Sequence, residues 1–307
     1  MTLTSNPFLR ALALTIVALG AAVGAAAGTT VARTLDHAGL ARTWRLHLPA
    51  APRPGTALVI ALHPMFTDGG AMEALSGFSA IADREGFVVA YPDGIDGTWD
   101  FGQEWYPHDD VGFIAALIDV IAAEQAIDRS LVFATGMSAG GYVSFVLAAR
   151  RPDLVAAIAP VVGGMLDRTA ALLPGELPVP VLMINGTQDW LVPYQGTVWP
   201  FYGRMLSAPA TAGTWAASNG CTAMSTVRMP DRAWFDGCRP LLTTWSRGVG
   251  GAEVRLITIE GGGHTWPGSP LTAMFGNVCM DFSASEAIWA FFRDHARTAS
   301  LAPANRG

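Results

Sequence analysis

The chain has 307 residues, 51% of them hydrophobic and 14% charged, with a formal net charge of −6. A chain of that length buries a core large enough to fold without metal or disulfide, and its acidic balance leaves no basic footprint for nucleic acid. All 19 basic residues are arginine, which excludes a P-loop lysine and the lysine base of Ser-Lys hydrolases.

The first residues read as a leader. Arg10 is the single charge before an apolar run that starts at Ala11 and ends Ala25-Ala26-Ala27. A positive start, an apolar middle and a small-residue end are the parts of a secretory signal. A bilayer span needs a longer and more strongly apolar run than this alanine-rich one. The expectation is a signal peptide over 1–27, a single domain over 28–307, a secreted or periplasmic location and no stable membrane anchor.

From residue 30 onward, strands alternate with helices. Segments 30–37 and 41–48 flank Ala38-Gly39 as an opening hairpin. The run 57–62 (ALVIAL) is a continuous apolar strand, 71–85 has helical periodicity and 87–91 is a strand. A helix is expected over 110–126, with Asp109 or Asp110 as its cap. Then come strand 131–135, helix 139–150, strands 155–159 and 181–185, a last strand at 253–259 and a closing amphipathic helix over 284–296. This alternation predicts an α/β domain: a mostly parallel central sheet with helices on both faces.

Chemistry starts at Gly136-Met137-Ser138-Ala139-Gly140. G-x-S-x-G alone is weak, because small residues co-occur often in a glycine-rich chain. Here it follows an expected strand and opens an expected helix, the setting that a nucleophile elbow requires. Ser138 then sits at a helix N-terminus, where the dipole favours developing negative charge. The bland alternative is a glycine-rich turn with a serine cap.

A serine nucleophile needs a base, and in such folds the order is serine, acid, histidine. Two histidines follow Ser138. His295 lies in the closing helix beside Arg293 and Arg297, and reads as a surface residue. His264 follows Gly261-Gly262-Gly263 directly after the last strand, where catalytic groups collect on an open sheet. Among the candidate acids (Asp153, Asp167, Asp189, Asp231, Asp236), Asp189 stands at the equivalent end of strand 181–185, with Trp190, Val192, Pro193 and Tyr194 to shield it. The oxyanion donors are expected to be the backbone N–H groups of Ala139 and Met65, since Pro64 has none. His63 reads as a packed loop residue.

An exported chain permits a disulfide. Cys221 and Cys238 are neighbours in sequence, each follows a glycine, and they form the expected pair; Cys279 is left over. Three free thiols are the alternative. No Cys or His cluster has zinc-ligand spacing, so neither metal nor cofactor is expected.

The motifs taken together resemble the polyhydroxybutyrate depolymerase-like esterases, a family that includes feruloyl and acetylxylan esterases, within the α/β-hydrolase superfamily. The resemblance runs from about residue 43 to 295. Its carriers are Leu62-His63, Tyr91-Pro92-Asp93-Gly94, Asp109-Asp110-Val111-Gly112-Phe113, Gly136-Met137-Ser138-Ala139-Gly140-Gly141, Asp189 with Val192-Pro193-Tyr194, Asn219-Gly220-Cys221 and Gly261-Gly262-Gly263-His264-Thr265-Trp266-Pro267-Gly268. The chain departs from the family at Pro64, where glycine is usual, and in the position of its second cysteine.

The resemblance implies ester hydrolysis through an acyl-enzyme on Ser138, with an ester substrate and no nucleic-acid partner. The tryptophans near the motifs (Trp99, Trp105, Trp190, Trp266), with Tyr194, are candidates for an apolar substrate cleft. Three readings follow: a depolymerase or esterase for polyhydroxybutyrate-type or other short-chain esters; a feruloyl or acetylxylan esterase on plant polysaccharide; and a non-catalytic binding protein of the hydrolase fold.

Overall fold

The computed structural model describes residues 27–296 except 53, 104, 105, 176 and 201. Apart from Ala27, the expected signal peptide therefore lies outside the described residues. Among the described residues, no helix is long and apolar enough to cross a membrane.

The opening hairpin is β1 (Thr29–His37) and β2 (Leu40–Leu48), closed by Ala38 and Gly39 with φ of 53° and 75°. Two positive-φ central residues match the right-handed twist of the paired strands. β3 (Thr56–Leu62) follows, then α1 (Gly69–Ser76), α2 (Phe78–Glu85), β4 (Val88–Pro92), α3 (Asp110–Glu124), β5 (Ile127–Met137), α4 (Ala139–Arg150) and β6 (Ala157–Val161). The chain continues through α5 (Asp167–Ala170), β7 (Val181–Gly186), a ribbon of β8 (Thr197–Trp199) and β9 (Gly203–Met205), and α6 (Ala208–Ser218). It ends with β10 (Ala223–Arg228), β11 (Arg239–Ser246), β12 (Val254–Glu260) and α7 (Ala284–Asp294).

Ten strands form one sheet in the order β1-β2-β4-β3-β5-β6-β7-β12-β11-β10. From β4 to β12 every pairing is parallel, and the two edges are antiparallel. Alternate side chains of β3 divide between two cores. Leu58, Ile60 and Leu62 join the layer of α3, α4 and α6, while Val59 and Ala61 join that of α1, α2 and α7. Each such burial contributes roughly 1.5–3 kcal/mol, so Ile60→Ala would cost about 2–5 kcal/mol. Because the central strands run parallel, the C-terminal ends of β3, β5, β7 and β12 share one edge of the sheet. Active sites of open α/β sheets lie there.

Two expectations need correction, and a third, the cap of α3, is narrowed to one of its two candidates. The helix expected over 71–85 is two helices, because Gly77 takes φ 63° and its N–H bonds the Glu73 carbonyl as a left-handed stop. At the start of α3, Asp109 is the cap, accepting from the Gly112 N–H at 2.8 Å. Asp110 instead pairs with Arg42 at 2.6 Å in the core. The second correction is that Cys221 and Cys238 do not meet. Cys221 precedes β10 and packs in one core layer, while Cys238 precedes β11 and lies in the other. In the β10–β11 register, Ala223 pairs with Ser246 and Arg228 with Leu241, so the two cysteines stand at opposite ends of the ribbon, on the order of 20 Å apart. Closeness in sequence was misleading because each cysteine begins its own strand of an antiparallel pair.

Candidate active site

Ser138 is the single residue between β5 and α4, held at φ 54° and ψ −117°. For a non-glycine residue this conformation is strained, and it persists because the surroundings fix it. The Ser138 N–H donates to the Val161 carbonyl at 3.0 Å, and its carbonyl accepts from Tyr142 N–H at 3.0 Å. The turn closes so tightly that a Cβ on Gly140 would lie 2.2 Å from the Leu62 carbonyl oxygen, and one on Gly136 would lie 2.5 Å from the Gly140 backbone. The two glycines of the motif are therefore steric necessities.

His264 and Asp189 come from neighbouring strands. The loop after β7 and the loop after β12 lie against each other: Gln188 N–H donates to the Gly262 carbonyl at 2.9 Å, and a Cβ on Gly186 would meet that carbonyl at 2.3 Å. This contact sets the His264 Nδ1 2.8 Å from Asp189 Oδ2, with both side chains buried. Asp189 Oδ1 accepts from the N–H groups of Leu191 and Val192 at 2.9 and 2.7 Å. A carboxylate so fixed presents an acceptor to Nδ1–H and leaves Nε2 free of its proton, the tautomer a general base needs.

Ser138 and His264 line one cavity of about 660 Å³, and Met65 and Ala139 line it beside them. Apart from Thr67 and Thr272 the rest of the wall is apolar or aromatic, including Phe66, Phe101, Tyr142, Leu191, Trp199, Tyr202, Leu271 and Phe275. None of its described residues carries a fixed charge. Phe101 stacks near Tyr142 and Tyr202, with centroids 5.1 and 5.5 Å apart. Burial, with the Asp189 charge adding to it, pushes the Tyr142 phenol well above its ordinary range, so it stays neutral. Its hydroxyl lies 2.7 Å from the Met205 sulfur.

His63 is buried beneath the loop that carries Met65. Its Nε2 accepts from Gly94 N–H at 2.9 Å, so Nδ1 carries the proton and donates to the Pro64 carbonyl at 2.8 Å. Burial holds its pKa below the ordinary value of 6.5, against the smaller opposing effects of the Pro64 carbonyl, Asp93 and Asp68. His295 lies away from the cavity, 3.2 Å from Glu253.

Of the five side chains expected in the cleft, the four that are described do not line the cavity. Trp99 is fully buried, with Nε1 donating to the His63 carbonyl at 3.0 Å. Trp266 is buried beside α7, its Nε1 on Ser285 Oγ at 3.1 Å. Tyr194 turns its hydroxyl to Thr258 at 2.7 Å, and Trp190 points to solvent. A buried indole must satisfy its N–H, and these two find partners below the site. Trp105 lies outside the described residues. The lining residues that sequence reading missed, Trp199 and Tyr202, belong to the aromatic cluster after Asp189; Leu271 and Phe275 follow the His264 motif within a dozen residues. Aromatic density next to a motif was the available signal.

A strained serine at a strand–helix elbow, facing a buried Asp–His pair across parallel strand ends, defines an α/β hydrolase. The prolyl oligopeptidase family profile matches residues 76–172. The chain is 33% identical over 258 residues to a protein of Nocardia uniformis subsp. tsuyamanensis named "Putative esterase NocK", covering 78% of this chain and 75% of that one. It is 29% identical over 222 residues to feruloyl esterase B of Piromyces equi, covering 67% of this chain and 39% of that protein. The solved acetyl xylan esterase of Aspergillus awamori superposes with a TM-score of 0.59 at 19% identity, over 76% of this chain and 94% of that structure. The chain belongs to the α/β-hydrolase esterase family that contains the polyhydroxybutyrate depolymerase-like and feruloyl esterases.

Proposed function

We propose that this esterase cleaves neutral, apolar carboxylic esters of the polyhydroxybutyrate or short-chain type through an acyl-enzyme on Ser138. The observation that carries the reading is the buried Asp189–His264 bond in the wall of an uncharged cavity onto which the strained Ser138 opens. His264 Nε2 takes the Ser138 hydroxyl proton as Oγ attacks the ester carbonyl. The oxyanion is received by the N–H groups of Met65 and Ala139, each worth about 3 kcal/mol in the transition state. Collapse expels the alcohol, which takes its proton from His264. Water then repeats the sequence and releases the acid.

A second reading, a feruloyl-type ester, is favoured by the aromatic wall of Phe101, Tyr142 and Tyr202. Rates on hydroxybutyrate oligomers, methyl ferulate, acetylated xylan and p-nitrophenyl butyrate separate the two by kcat/KM. No turnover of any of them by the folded protein would sink both.

Export belongs to the same proposal. Cleavage after Ala27 would leave Gly28 as the first residue, and its nitrogen lies 2.9 Å from Asp83 Oδ1. The fold thus offers a carboxylate to the amine that processing would create.

A further inference from the structure

The turn joining β10 to β11 and the segment 275–281 are stitched together around two cysteines. Asp281 Oδ1 accepts the backbone N–H groups of Arg232 and Ala233 at 2.5 and 2.7 Å. Asp236 returns the contact, its two oxygens accepting from Cys238 N–H at 2.8 Å and Met280 N–H at 2.7 Å. Between these clasps Cys238 and Cys279 are both fully buried. Their sulfurs and an Asp236 carboxylate oxygen lie within 4.8 Å of one another.

The thiols have no strong partners. Cys238 Sγ is 3.8 Å from the Asp236 carbonyl oxygen, and Cys279 Sγ is 3.6 Å from Asp281 Oδ2. The neighbouring thiol and burial push the Cys279 thiol far above its ordinary range. Two flanking carboxylates and a dry setting oppose the paired thiolates that a soft metal ion would need. Joining the sulfurs removes both buried S–H groups at once.

We propose that Cys238 and Cys279 are linked by a disulfide in the exported protein, and that this link braces the backbone of His264. The two S–H bonds break and one S–S bond forms. The two electrons and two protons pass, by thiol–disulfide exchange, to an oxidised dithiol oxidoreductase or small-molecule disulfide, which leaves as two thiols. Cys221 stays a free thiol.

The consequence for the site comes from what segment 275–281 holds. Gly263 N–H and Thr265 Oγ1 both donate to the Asn277 carbonyl at 3.0 Å, His264 N–H to the Phe275 carbonyl at 3.1 Å, and Gly268 N–H to the Cys279 carbonyl at 2.9 Å. Four bonds therefore tie the His264 loop to the segment that the disulfide would anchor. Cys238 and Cys279 are positioning residues. The bracing role rests on the catalytic reading of His264, whereas the covalent link does not.

Trypsin puts each cysteine on its own peptide: Cys221 on 205–228, Cys238 on 233–247 (Arg239 precedes proline) and Cys279 on 256–293. Protein recovered from an oxidising compartment should be denatured, alkylated without reductant and digested. The expected result is 233–247 joined to 256–293, with alkylation at Cys221 alone. Alkylation of all three cysteines, a cross-link through Cys221, or a zinc ion retained by the native chain would each overturn the disulfide. For the brace, reductant added to the native, map-verified protein should lower kcat on p-nitrophenyl butyrate severalfold and leave KM nearly unmoved. An unchanged kcat after demonstrated reduction would overturn the brace and leave the hydrolase reading standing.

Discussion

His264 Nδ1 stands 2.8 Å from Asp189 Oδ2, while the second oxygen of that carboxylate is occupied by the N–H groups of Leu191 and Val192. The division of labour between the two oxygens makes a sharp substitution test. In Asp189→Asn the amide oxygen keeps the two backbone donors, so the amide NH2 is forced toward Nδ1. The imidazole then carries its proton on Nε2 and has no lone pair there to accept the Ser138 proton. We expect kcat to fall about 10⁴-fold with the fold intact, against about 10⁶-fold for Ser138→Ala. Steady-state rates with matched circular dichroism check this, and an Asp189→Asn enzyme within tenfold of the parent would remove Asp189 from the site.

The mouth of the cavity carries large apolar groups in water. Phe66 is 85% exposed and Leu271 62%, and both line the cavity. Exposed side chains of that size contribute little to folding, so their replacement reads substrate contact. Phe66→Ser with Leu271→Ser is expected to raise KM for p-nitrophenyl octanoate by about tenfold, roughly 1.4 kcal/mol of lost apolar contact. KM for p-nitrophenyl acetate should barely change, since its acyl chain ends inside the cavity. Equal shifts on both esters would show that the rim does not touch the acyl group.

Much of the site is legible in the sequence, for reasons particular to each residue. Gly136 and Gly140 are fixed by contacts under 3 Å with backbone, so the elbow leaves a glycine pair in the sequence that becomes specific once a strand precedes it and a helix follows. Asp189 and His264 follow apolar strands directly, and strand ends of a parallel sheet share an edge. The lining was not legible in the same way. Trp266 and Trp99 lie close to motif residues in sequence, yet their ring N–H groups lead them into the core. Leu271 and Phe275 reach the cavity because a 3₁₀ segment, Pro270–Phe275, turns back over it. The cysteine pairing failed for a topological reason: 238 and 279 meet only once β11 and β12 have folded between them.

Stability should depend on pH through His63. Burial depresses its pKa below 6.5, and the neutral ring accepts from Gly94 N–H while donating to the Pro64 carbonyl. Unfolding releases an imidazole that binds a proton below about pH 6.5. The contribution of the neutral ring is therefore present above that pH and is lost as pH falls from there through the depressed folded value. His63→Gln supplies one acceptor and one donor without a titration. Its Tm is expected to fall less than the parent's between pH 7 and pH 5; parallel slopes would locate the acid sensitivity elsewhere.

Processing after Ala27 makes a prediction about charge as well as mass. Gly28 nitrogen donates to Asp83 Oδ1 at 2.9 Å, and the same oxygen lies 3.0 Å from His47 Nε2. In an unprocessed chain that nitrogen is a neutral amide; in a chain beginning at Gly28 it is an ammonium, and the bond becomes charge-assisted. The Asp83 side chain is 19% exposed, so solvent weakens the pair and about 1 kcal/mol is a fair magnitude. A Cβ at position 28 would lie 2.2 Å from the Leu48 carbonyl oxygen, which leaves no room for another residue there. N-terminal sequencing of exported protein should read Gly-Thr-Thr-Val. Asp83→Asn should then cost about 1 kcal/mol more in the chain starting at Gly28 than in one extended by several residues, measured by urea unfolding of all four proteins. Equal costs would mean that the amine is not held by Asp83, and a start retaining Met1 to Ala27 would overturn the cleavage itself.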